Sequence, residues 1–156
     1  MTSGEMLIET MWAIPIRDGL AGLSAADAER RMPWPCATHS IAEIVAHMAF
    51  WQDWFIGRLQ GSGEPAAASA ADGWPSVEQG SWPRILQQFL DGLEQAAALD
   101  VANIVVDPPF EAPLAGLSAN EAIMHLALHN THHLGQIITL RQSMGQWPPP
   151  AGSFTW

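Results

Sequence analysis

Met124-His125-Leu126-Ala127-Leu128-His129-Asn130-Thr131-His132-His133 gathers four of the chain's six histidines into one short run. Ser118 and Glu121 precede it with the spacing of a capping box, in which each side chain satisfies an orphan amide at a helix start. A helix over about 118–144 follows. His129 and His133 are four residues apart, so they stand one turn apart and about 40° from each other around the axis. The same face carries Leu126, Ile137, Leu140 and Met144. These two imidazoles therefore point into a core, with His125 and His132 on its flanks as surface or supporting residues. A second apolar stripe, Ile41, Ile44, Met48, Trp51, Phe55 and Leu59, contains His47 between Ile44 and Trp51. Three imidazoles from two helices converge if those helices pack in a bundle.

Working outward, Ser40/Glu43 and Thr2/Glu5 repeat the capping-box spacing, and Ser24/Asp27 is a weaker version before a short turn. A further helix begins between Ser76 and Trp82, with Pro83 tolerable only in its first turn. Ile85, Leu86, Phe89, Leu90, Leu93 and Ala97 then form its 3.6-residue stripe. The expectation is an all-α, four-helix bundle with helices over about 3–22, 40–60, 80–98 and 118–144. Pro15 should kink or divide the first. Residues 61–75, rich in Gly, Ala, Ser and Pro, read as a linker crossing one end of the bundle, and 145–156 as a Pro-rich tail. Asn103-Ile104-Val105-Val106 suggests a short extended piece. No repeat or long heptad run is present, and 156 residues suit one domain.

Composition excludes several function classes. Sixteen Asp and Glu face six Arg and no Lys, a formal charge of −10. Lacking Lys, the chain has no Walker-type phosphate loop and no Schiff-base lysine. Its acidity and scattered cations argue against nucleic acid as a partner. A single cysteine, Cys36, rules out an intrachain disulfide and any Cys-based zinc cluster. The N-terminal stretch does not read as a signal peptide and no run is long enough to span a membrane. A soluble, cytoplasmic protein with no membrane partner is expected.

A lone histidine on an apolar face is ordinarily a core residue with its hydrogen bonds satisfied. Burying three without a metal would demand partners for six ring nitrogens. Three histidines with an open position form the ligand set of a catalytic zinc-type site, and neutral imidazole also suits Ni, Cu and Fe. Glu43 lies one turn before His47 but is claimed by its capping box, and Asp53 falls on the far side of the helix. His39 precedes the helix and is expected to face solvent. Eight Trp and no Tyr are a skew, yet Trp51 and Trp54 fall at core spacing. Trp147 and the Phe154-Thr155-Trp156 end read as a docked tail. Cys36 has no evident base beside it.

Ser40-Ile41-Ala42-Glu43-Ile44-Val45-Ala46-His47, the segment from His129 to Ile137, the Gly22–Asp27 turn and Met32-Pro33-Trp34 together resemble the DinB-like (YfiT-like) superfamily of metal-binding four-helix bundles. The resemblance covers most of the chain. It implies His47, His129 and His133 as ligands of a divalent metal ion, Zn or Ni foremost. Gln136 would either support that site or simply pack. It further implies a homodimer and a long crossover between the second and third helices. Relatives imply metal-dependent transfer of a low-molecular-weight thiol to an electrophile, or thiol-dependent isomerisation, and others are labelled metal-dependent hydrolases. The expected function is thus a metal-dependent enzyme in which a small thiol, or water, attacks a small-molecule substrate. The alternatives are a hydrolase and a non-catalytic metal- or ligand-binding bundle. One departure stands out: many members have Arg where this chain has Leu134, which moves that role to Arg141 or loses it.

Overall fold

Ser40 and Ser118 each accept a hydrogen bond from the backbone N–H three residues on, while Glu43 and Glu121 reach back to the serine N–H. Each cap is worth about 1 kcal/mol and fixes where its helix starts, hence which face each histidine occupies. The computed structural model describes residues 14–33, 39–69 and 71–153. Among these the helices are α1 (Ile16–Leu20), α2 (Ala25–Ala28), α3 (Ile41–Leu59), α4 (Trp82–Ala97) and α5 (Ala119–Ser143). There is no strand among the described residues, and the molecule is an all-α bundle.

α3 is the central helix, packing against both α4 and α5, and α1 lies on α5. The core runs through Ile41, Ile44, Met48 and Phe55 of α3, Trp82, Ile85, Phe89 and Leu93 of α4, and Ile123, Leu126, Leu134 and Ile137 of α5. Leu134 rests on Gly19 so closely that a Cβ there would sit 2.8 Å from its Cδ1.

Pro15, with an extended ψ of 138°, stands just before α1, which starts at Ile16 and stops at Leu20. Its expected beginning, with the Thr2/Glu5 box and Trp12, lies outside the described residues, as do Trp34, Cys36 and the Phe154-Thr155-Trp156 end. At 103–106, where a short extended piece was expected, Ile104 and Val106 lean on the core while Val105 is 85% exposed, and no strand pairs with them among the described residues.

The connection between α3 and α4 does cross over, but it is no free linker. Trp54 donates its indole N–H to the carbonyls of Glu64 and Pro65. Arg58, 2% exposed, donates to the Glu64 carbonyl at 2.9 Å and to those of Pro108 and Pro109 at 3.0 and 2.7 Å. One guanidinium thus ties α3, the crossover and the loop before α5 together.

Candidate metal centre

One turn of α5 and the second turn of α3 bring His47, His129 and His133 into one group, whose candidate ligand atoms all lie within 4.8 Å of one another. Nε2 of His129 stands 3.2 Å from Nε2 of His47. The rings of His133 and His47 are 4.8 Å apart between centroids, and those of His133 and His129 4.6 Å. His47 and His133 are buried and His129 is partly so.

The far sides of two rings are fixed. His47 donates its Nδ1 proton to the Gly73 carbonyl at 2.6 Å. A carbonyl can only accept, so the Nε2 of neutral His47 carries a lone pair. His133 donates Nδ1–H to Gln136 Oε1 at 2.8 Å, which leaves its Nε2 in the same state. The Nδ1 of His129 is buried and has no partner among the described residues. Its neighbour Asn130, 3% exposed, has neither amide atom bonded there.

All three imidazoles are held neutral. Burial pushes His129 down to about 4, assisted by His133 and His47. Burial also lowers His47, against the pull of the Gly73 carbonyl, and lowers His133, against Gln136. Neutral rings with inward lone pairs are what a divalent cation requires, and second partners on the outer nitrogens are the usual support of such ligands. The residues fit a metal ion.

Around the group, Trp74 from the crossover lies flat on His47, with centroids 3.9 Å apart and planes at 13°. Its other face carries His39 with the same spacing and tilt. His39 is therefore half-buried and stacked, not turned to solvent as its position before the helix suggested. Trp51 meets His47 edge-on. His125 and His132 are exposed flanks, His125 beside Phe55 and His132 edge-on to His133. Glu43 is occupied by Ser40 and Arg31, and Asp53 by Gln88 of α4, so neither carboxylate belongs to the group. Arg141, to which the role of an Arg at 134 was expected to move if not lost, is engaged with backbone carbonyls. It is 2% exposed and donates to the Gly19 and Gln146 carbonyls, which pins the tail to α1.

The family model of the DinB superfamily matches residues 17–137. The chain belongs to the DinB superfamily. No curated protein and no solved structure matches it. This DinB bundle brings the three predicted histidines together, while the Gly73 carbonyl, Trp74 and Asn130 escaped the sequence reading. The carbonyl leaves no mark in a sequence. A Gly-Trp pair in an otherwise small-residue linker was the one available signal for the stacking.

Proposed function

We propose that this DinB-superfamily protein is a metal-dependent transferase. In this reading His47, His129 and His133 hold a divalent ion, Zn or Ni, at which a low-molecular-weight thiol is activated to attack a small-molecule electrophile. The observation that carries the reading is the convergence of ring nitrogens whose outer partners, the Gly73 carbonyl and Gln136 Oε1, set two Nε2 lone pairs inward. With only neutral ligands, the ion's uncompensated charge makes a bound thiol or water far more acidic.

The chain's own residues do the rest. Gly73 and Gln136 hold protons on the outer nitrogens, and Trp74 with His39 closes one side of His47 against water. A hydrolase would want a carboxylate beside the nucleophilic water. Glu43 and Asp53 are engaged elsewhere, which favours the thiol over water. Met124 and Leu128, one turn apart and 42% and 70% exposed on α5, support a homodimer.

Metal content of untagged protein tests the reading, with wild type beside His47→Ala and His133→Ala. About one equivalent of metal in wild type, lost in both variants, is expected, followed by consumption of a thiol against a panel of electrophiles. Metal without thiol chemistry would favour the binding bundle. No metal, with variants as stable as wild type, would overturn the site.

A further inference from the structure

His47 and His133 each have a fixed acceptor for the Nδ1 proton, whereas His129 has none among the described residues. Its ring is also asked for two tautomers. Without an ion, a hydrogen bond across the 3.2 Å between Nε2 of His129 and Nε2 of His47 requires the proton on His129, because the Nε2 of His47 already carries a lone pair. That leaves the Nδ1 of His129 bare and buried. When Nε2 is needed as a ligand, the ring gives up that proton and takes one on Nδ1, with no net change in charge. The two tautomers want opposite partners, first a donor and then an acceptor.

Asn130 follows directly in the chain, is 3% exposed, and has both its amide nitrogen and its amide oxygen unbonded among the described residues. Three buried polar atoms without a partner among the described residues, on two adjacent side chains, are costly unless they serve one another. An amide is the side chain that answers both demands: turned one way its NH₂ donates to bare Nδ1, turned the other its oxygen accepts from Nδ1–H.

We propose that Asn130 is the positioning residue for His129, its amide oxygen taking the Nδ1 proton when the ring presents Nε2 to a metal ion. The proposal rests on the three-histidine reading above.

The test compares wild type, Asn130→Leu and Asn130→Asp by zinc affinity, in competition with a chromophoric chelator, and by ¹⁵N NMR of labelled histidines with and without zinc. In wild type the His129 signals should pass from the Nε2–H to the Nδ1–H pattern on adding zinc. Asn130→Leu should bind zinc about 10–100-fold more weakly. Asn130→Asp can only accept when ionised, so it should restore affinity and show the Nδ1–H pattern even without zinc. Urea unfolding of the zinc-free forms separates folding from binding. If Asn130→Leu does not fold, the zinc-free tautomer in Asn130→Asp decides alone. Wild-type affinity in Asn130→Leu, or an unmoved His129 tautomer in Asn130→Asp, overturns the role of Asn130 while leaving the site intact. Failure of wild type itself to bind zinc removes the site and this proposal with it.

Discussion

Gly73 shows how little of a side chain a functional position can have. Its carbonyl holds the His47 ring, and a Cβ built on it would lie 2.8 Å from Trp51 Nε1 and 3.1 Å from Cε2 and Cζ2. An indole is rigid, so Gly73→Ala must move the ring or the backbone, at a cost of about 1–3 kcal/mol. The variant is expected to unfold at lower urea and, with the carbonyl displaced, to bind zinc about tenfold more weakly by chelator competition. At this scale the sequence was legible where chemistry follows a period. His129 and His133 at one-turn spacing, and His47 within the stripe of α3, could be placed by angle alone. A backbone acceptor has no period. The mutual dependence of His129 and Asn130, adjacent residues that a helical wheel sets 100° apart, was equally invisible.

Helices announced themselves through their caps: Ser24, Ser40 and Ser118 begin α2, α3 and α5 where the spacing of acidic residues placed them. The crossover was harder, because small residues and prolines describe a chain without regular structure whether it hangs free or is fastened down. It is fastened by Arg58, a buried cation that composition could only count. Three carbonyls accept from it, and its guanidinium lies 5.4 Å from the centre of the Phe110 ring. Arg58→Ala strips those carbonyls of a charged donor inside the protein, which should cost about 3 kcal/mol or more in urea unfolding. Arg58→Met keeps the stem's packing and should recover part of that loss, since it buries no charge. Arg141 is spent in a similar way, on the carbonyls of Gly19 in α1 and of Gln146 after α5.

For the molecule as a whole, the histidine group couples acidity to folding. Unfolded, His129 takes up a proton near its ordinary 6.5; folded, it does so only at about 4. Between these values the unfolded chain binds more protons, so stability is fully present above 6.5 and is lost as pH falls towards 4. His47 and His133 are shifted in the same direction and add to the slope. The urea midpoint of zinc-free protein is expected to drop steadily from pH 7 to 4.5, and His129→Gln should flatten that drop. The formal charge of −10 works the other way below pH 5, where neutralising carboxylates relieves self-repulsion, so the comparison with His129→Gln isolates the imidazole. The crossover has one more consequence at this scale. It touches α3 at Glu64–Pro65 and again at Gly73–Trp74, and the second contact is led in by a turn in which Ser69 binds Asp72. Between the first contact and that turn the chain answers to neither anchor, and closing a longer loop costs little. Length can therefore vary there, through evolution or by insertion of a reporter peptide ahead of Ser69, while a single residue gained or lost between Asp72 and Trp74 would carry the indole off His47.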